Sequence, residues 1–326
     1  MAASFYDQIS ANRRNSFLLA LVVVLLLGAL GFSIGYALTG SAAGAVVTTA
    51  IAVIIGVLMG LGSYFAGDRL VLAASGAKEV DQESAPQLMN VVRELSLAAN
   101  VPMPKVYMID DTAPNAFATG RDPKHASVAV TKGLLEKLDR EELQGVIGHE
   151  LSHVRNLDIR FTLIVGVMVG SIALLSDFFL RFTFWGGSGR RSSSRDRDGG
   201  GGLQVVMLVV ALALAVLAPI FARFVQLAVS RQREYLADSS SVELTRNPYG
   251  LERALATISA DPEVLEVANR ATQHLYFTNP IKKFEKRSSG LFSTHPPIVE
   301  RINRLRNLTG ERPLEAQDVA ALADLD

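Results

Sequence analysis

The chain has 326 residues, in which 32 lysines and arginines balance 32 aspartates and glutamates, and it contains no cysteine. This balance gives neither a basic nor an acidic bias, so no feature of the charge predicts nucleic acid as a partner. Without cysteine there is no disulfide and no thiol nucleophile, and any metal site must use His, Asp or Glu.

The first two apolar segments predict a transmembrane hairpin. After a short N-terminus at 1–15, residues 16–38 and 42–66 carry no charge, and each exceeds the roughly 20 residues that a helix needs to cross a bilayer. Only a turn around Gly40 separates them, so the hairpin occupies 16–66. A signal peptide is the alternative for the first segment, but its apolar region would span only about 7–15 residues.

Two further apolar segments, 159–180 and 203–229, predict a second hairpin within 159–229. Charged residues near the ends of the first of these segments make it the weaker of the two. Between them, residues 185–202 are rich in Gly, Ser and Arg, a composition that cannot bury a core, and they predict a flexible loop.

The remaining polar blocks, 67–158 and 230–326, are interpreted as two parts of one domain. Runs rich in β-branched residues predict strands at 105–110 and 127–131, and apolar periodicity predicts helices elsewhere. The predicted helices are 85–100, one opened by Asp139, 248–260, 262–275, 296–308 and the last dozen residues. The fold class is therefore α+β, mostly helical, with a small β-sheet and a multi-pass membrane part.

The helix opened by Asp139 contains the pattern His149-Glu150-Leu151-Ser152-His153. A spacing of four residues places both imidazoles on one helix face, where both can reach one Zn²⁺ ion. Glu150 would then lie beside the open coordination position and could act as general base. The alternative is a chance occurrence of this pattern on an amphipathic helix.

A third ligand is needed, and Glu234 is the candidate, with Asp238 four residues later. If the helix of the fourth apolar segment continues past the membrane, both carboxylates share one face. Glu234 could complete the metal site, and Asp238 could accept the second ring N–H of a ligating histidine. A membrane hairpin between His153 and Glu234 would return the chain to the side of the membrane that it left. The alternative is that the helix end with Glu234 and Asp238 is simply a solvated surface.

At these residues the sequence resembles the HtpX family of membrane zinc metallopeptidases, which are relatives of the CAAX prenyl proteases. The matching elements are NAFATG at 115–120, SVAVTKGLL at 127–135, GHELSHVRNLD at 148–158, REYLAD at 233–238 and FSTHPPIVERI at 292–302. With the four apolar segments in the same order, they extend over nearly the whole chain.

The resemblance implies a zincin-like (gluzincin) catalytic domain with one Zn²⁺ per chain, held by His149, His153 and Glu234. It implies an endopeptidase of the cell (inner) membrane, with its catalytic domain in the cytoplasm, that cuts misfolded or damaged membrane proteins. Its partners would be these substrates and the lipid bilayer.

The resemblance also implies that Asn115, Ala116 and Phe117 lie on an edge strand that receives the substrate backbone as an added strand. His295 has two interpretations. It could donate a hydrogen bond to the oxyanion formed during hydrolysis, or it could be a cap residue before a helix that starts at the following prolines.

The orientation in the membrane follows from positive charge. Arg13 and Arg14 place the N-terminus in the cytoplasm, and the first hairpin then leaves 67–158 there. The arginines of 181–197 oppose this, because a spanning second hairpin would put them outside. Either the first hairpin sets the orientation, or the second pair of apolar segments does not fully cross the membrane.

Three other functions are alternatives to an endopeptidase. A catalytically silent membrane scaffold would have lost Glu150, which is present, and a CAAX-type enzyme would have more membrane spans. A non-proteolytic zinc protein would normally have a closed site with four ligands, whereas the sequence offers three. Substrate identity and oligomeric state do not follow from the sequence.

Overall fold

A computed structural model describes residues 5–185, 201–265, 276–277, 296–315 and 317–322. Ten α-helices, a short 3-10 helix at Pro123–His125 and four strands occur in these ranges. In chain order the α-helices and strands are α1 Phe5–Thr39, α2 Ala42–Ala74, β1 Lys78–Glu79, α3 Pro86–Ala99, β2 Lys105–Ile109, β3 Ala116–Gly120, β4 Ala126–Thr131, α4 Lys132–Lys137, α5 Arg140–Arg155, α6 Asp158–Trp185, α7 Gly201–Thr245, α8 Pro248–Ala260, α9 Ile298–Thr309 and α10 Val319–Leu322.

The chain divides into two compact units. The first comprises 1–12, 64–162 and 230–326, and the second comprises 13–63 and 163–229. The long helices α1, α2, α6 and α7 each contribute residues to both units. Of the loop predicted at 185–202, residues 186–200 lie outside the described part, while Trp185 ends α6 and Gly201 begins α7.

The second unit is built from apolar helices that pack through small residues. Ala211, Ala215, Ala218 and Ala222 form one buried stripe along α7, next to Leu30 and Ile34 of α1 and Ile172 and Phe179 of α6. Alanine at these positions allows helix backbones to approach closely, which is the usual basis of helix association in lipid.

Two stretches of the described residues are long and apolar enough to cross a bilayer, Ala42–Gly62 and Gly202–Phe224. Only 6% and 22% of their apolar windows are buried inside the chain. A core helix of a soluble protein would bury most of such a window. The exposed apolar surface of these two helices therefore suits lipid. A shorter apolar stretch, Val24–Thr39, lies in α1.

The first unit carries a four-stranded mixed sheet in the order β1-β2-β4-β3. Strand β2 is parallel to β4, whereas β1 and β3 are antiparallel to their neighbours. Strand β3 therefore lies at one edge of the sheet. Helices α3, α5, α8 and α9 contribute to the core on which the sheet packs, with Val91, Ile147, Leu255 and Ile302 all fully buried.

Most predicted elements of the polar blocks are present, with ends shifted by one or two residues. The helix predicted for the last dozen residues is shorter, because among the described residues there only 319–322 are helical. The predicted helix 262–275 is wrong where it can be compared, because residues 261–265 are not helical and 266–275 lie outside the described residues. Asp261 ends α8 instead, and its carboxylate accepts the N–H of Glu263 at 2.8 Å. An Asp side chain that bonds the backbone two residues on favours a turn over a helix.

Candidate metal centre

Helix α5 carries the H-E-x-x-H pattern and begins at a capping box. The Asp139 carboxylate accepts the N–H of Glu142 at 2.8 Å, and the Glu142 carboxylate accepts the N–H of Asp139 at 2.9 Å. Such a cap stabilises a helix by about 1 kcal/mol. Val146, Ile147 and Leu151 bury one face completely, so the helix is fixed on the core.

Two glycines of α5 allow its neighbours to approach closely. A Cβ atom on Gly145 would lie 2.6 Å from the backbone nitrogen of Leu251 in α8, and one on Gly148 would lie 2.8 Å from Ser241 Oγ in α7. Ser241 Oγ donates to the carbonyl of Gly145 at 2.7 Å. Helix α7 is thus held directly against α5, and this contact brings the carboxylates of α7 to the histidines.

His149, His153 and Glu234 form a three-residue group that could hold a metal ion. The two Nε2 atoms lie 3.1 Å apart, and Glu234 oxygens lie 3.6 Å from His149 Nε2 and 3.5 Å from His153 Nε2. Donors about 2.0–2.1 Å from a tetrahedral Zn²⁺ ion lie about 3.3 Å from one another. The donor set and its spacing therefore fit zinc, with one position left for a reactant.

His149 is held from behind by Asp238 and by an arginine that the sequence analysis did not single out. Its Nδ1 lies 2.9 Å from Asp238 Oδ1, and Arg301 binds both oxygens of Asp238 at 2.7 and 2.9 Å. Burial raises the pKa of Asp238, but Arg301 and His149 bring it below its usual value. Removing one partner of such a buried pair typically costs about 3–5 kcal/mol.

His153 has a carboxylate partner of its own, Asp158, which the sequence analysis also missed. The distance from His153 Nδ1 to Asp158 Oδ2 is 3.1 Å. Burial lowers the pKa of His153, but its bonds to Asp158 and Glu234 raise it to about 10. A cation that binds here must therefore displace a proton, which couples metal affinity to pH.

Glu150 lies between the metal ligands and the sheet edge. Its side chain is buried, and its carboxylate accepts the backbone N–H of Ala118 in β3. Burial raises its pKa, although His149 and His153 act in the opposite direction. A raised pKa makes the carboxylate a stronger base toward a proton.

The three residues predicted to bind substrate lie at the start of edge strand β3. Ala116 and Phe117 lie opposite Val130 and Ala129 of β4, and the Asn115 carbonyl accepts the N–H of Thr131. The backbone groups of Ala116 instead face the outer edge of the sheet. The Ala116 N–H donates to Asn115 Oδ1 at 3.0 Å, and its carbonyl accepts the N–H of Phe277 at 2.7 Å. The Phe277 ring also contacts His149 edge-on, with centroids 4.9 Å apart.

His295 lies outside the described residues, so its role as an oxyanion donor stays a prediction. The cap interpretation is wrong about the start of the helix, because α9 begins at Ile298 and Pro297 is its N-cap residue. Of the other predicted site residues, the structure brings His149, Glu150, His153, Glu234 and Asp238 together in the first unit. The sequence offered one signal for Asp158, a carboxylate just after the histidine helix. For Arg301 the sequence offered only its place in the matching element 292–302, because nothing in its spacing relates it to α5 or α7.

The chain is similar in sequence to known proteins. The model of peptidase family M48 matches residues 82–309. A protease HtpX homolog of Streptococcus pneumoniae (strain ATCC BAA-255 / R6) is 48% identical over 305 residues, which are 93% of this chain and 99% of that relative. The homologs of Streptococcus uberis and of Listeria monocytogenes serotype 4a are 43% and 45% identical, with the same two coverages.

Among solved structures, the crystal structure of S. mikatae Ste24p aligns with a TM-score of 0.47 at 18% identity. The alignment covers 78% of this chain and 57% of that one, so this chain spans less than two thirds of its length.

Proposed function

Because this chain belongs to the HtpX proteases of peptidase family M48, we propose that it is a zinc-dependent endopeptidase that hydrolyses misfolded or damaged membrane proteins. Membership of the family makes it a membrane metalloprotease and confirms the predicted resemblance. The choice of zinc, the residue roles and the substrate class belong to the proposal. The observation that carries it is the convergence of His149, His153 and Glu234 beside the buried carboxylate of Glu150.

Each residue would have a distinct task. His149, His153 and Glu234 would hold one zinc ion, which lowers the pKa of a bound water to about 7 and polarises the scissile carbonyl. The Glu150 carboxylate would take a proton from the attacking water and pass it to the leaving amine nitrogen. Burial raises the pKa of Glu150, which favours the protonated form that donates to the amine.

The experiment that tests this proposal is hydrolysis of an unfolded reporter protein by the purified chain. The zinc-loaded wild type should cleave the reporter, and the Glu150→Gln variant is the inactive comparison. Cleavage that survives complete removal of the metal would exclude a zinc endopeptidase.

We further propose that the substrate pairs with β3 as an added strand. Ala116 and Ala118 present their backbone groups to the outer edge, and the Ala118 N–H already meets Glu150. A substrate strand that reaches Ala116 would replace the N–H of Phe277 at its carbonyl. Main-chain pairing supplies affinity with little demand on side chains, which suits proteins that have only their unfolded state in common.

Peptide substrates with a single N-methyl group test this edge pairing. The N–H groups of an added strand point alternately toward the enzyme and away from it. We expect KM to rise about fivefold at alternate positions, since each lost hydrogen bond costs about 1 kcal/mol. The positions between them serve as the internal control. Equal effects at neighbouring positions would contradict pairing with β3.

The catalytic part is proposed to face the cytoplasm, and single cysteines can test this because the native chain has none. A membrane-impermeant thiol reagent applied to intact cells should label Ser41→Cys, in the turn between α1 and α2. It should not label Asn307→Cys, on the exposed side of α9. Permeabilised cells are the control, in which both should react. Labelling of Asn307→Cys in intact cells would place the catalytic part outside.

A further inference from the structure

We propose that Asp158 is the positioning residue for His153, and that Arg233 holds Asp158 in place. This inference rests on the proposed zinc site and extends it. A histidine that binds a metal through Nε2 needs a partner at Nδ1, because that partner sets both the tautomer and the direction of the ring. Asp158 Oδ2, 3.1 Å from His153 Nδ1, occupies this position.

A turn between two helices makes the contact possible. In one continuous helix, residues five apart point roughly 140° away from each other, since each residue turns by about 100°. Here α5 ends at Arg155, and Leu157 adopts a left-handed conformation with a φ of 60°. Helix α6 then starts at Asp158, whose side chain points back to His153.

Arg233 of α7 is the partner that makes this buried aspartate tolerable. Asp158 and Arg233 are only 3% and 6% exposed. Arg233 Nη1 lies 3.3 Å from Asp158 Oδ1 and donates to the Asp158 carbonyl at 3.2 Å. A buried carboxylate is unfavourable without a paired cation. Arg233 thus binds both the side chain and the backbone of Asp158.

The other histidine is supported by the same series of arginine, aspartate and histidine, because Arg301 binds Asp238 and Asp238 binds His149. On the His153 side the arginine directly precedes the third ligand, Glu234. One turn of α7 therefore supplies a metal ligand and also holds the aspartate that orients another ligand. The positions of His153 and Glu234 are consequently set together.

The test is the affinity of purified variants for Zn²⁺, measured by competition with a chelator. We expect Asp158→Ala and Arg233→Met each to weaken zinc binding, by about 10–100-fold for Asp158→Ala. The double variant should bind no more weakly than Asp158→Ala alone, because Arg233 acts through Asp158. The exposed pair Asp177 and Arg181 on α6 supplies matched controls, Asp177→Ala and Arg181→Met, which should bind like wild type.

The unfolding temperature of the zinc-free chain separates positioning from general stability. If Asp158→Ala lowers that temperature, Asp158→Leu replaces it, since leucine has a similar volume but no oxygen that can accept the N–H at His153 Nδ1. Wild-type zinc affinity in the Asp158 variant would overturn the proposal. Additive losses in the double variant would overturn the role of Arg233. If the wild type itself fails to bind zinc, the proposed metal site is overturned together with this inference. That outcome differs from the two above, in which the wild type binds zinc.

Discussion

Glu150→Gln should abolish peptide hydrolysis while zinc stays bound. The amide keeps the size of the side chain and its acceptor oxygen toward Ala118, but it cannot take up the proton from the attacking water. Loss of a general base typically lowers the rate by about 10²–10⁴-fold. The measurement is turnover of an unfolded reporter protein by purified enzyme, together with the zinc content of the same sample.

Glu141→Gln is the matched control for this variant. Glu141 lies on the same helix, but its side chain is exposed and pairs with Arg253 at the surface. It should keep wild-type turnover. A Glu150→Gln enzyme with turnover close to wild type would remove Glu150 from the mechanism. A variant that loses zinc together with activity would assign Glu150 a structural role at the metal site.

Glu234→Ala should lose zinc almost completely under conditions in which Asp238→Ala loses it only in part. Glu234 supplies one of three donors, and two histidines alone leave half of a tetrahedral site to solvent. Asp238 acts through His149, so its removal should weaken binding by about 10–100-fold. Zinc content after dialysis against a mild chelator measures the difference.

Glu243→Ala is the control on the same helix, because Glu243 lies on the surface of α7 and pairs with Arg155. It should retain one zinc ion per chain. Stoichiometric zinc in dialysed Glu234→Ala would exclude Glu234 as a ligand. If Asp238→Ala loses as much zinc as Glu234→Ala, the prediction that Asp238 acts only through His149 would be wrong.

The features that the sequence predicted correctly depend on neighbours along the chain. His149 and His153 share a helix face because four residues make about one turn, whatever the rest of the fold does. The capping box at Asp139 is equally local. The i,i+4 spacing of Glu234 and Asp238 places them on one face of α7, which continues past its apolar part although Pro219 lies inside it.

The sequence by itself therefore determined the apolar helices, the H-E-x-x-H helix and the candidate third ligand. Only the tertiary structure decided which charges support that site. Arg301 reaches Asp238 across 63 residues and His149 across 152, contacts that exist only because α9 packs beside α5 and α7. Asp158 is close to His153 in sequence, yet a single left-handed residue, Leu157, decides that their side chains meet. Helical spacing fixes the direction of a side chain within one element, but the partner of a buried charge depends on how separate elements pack.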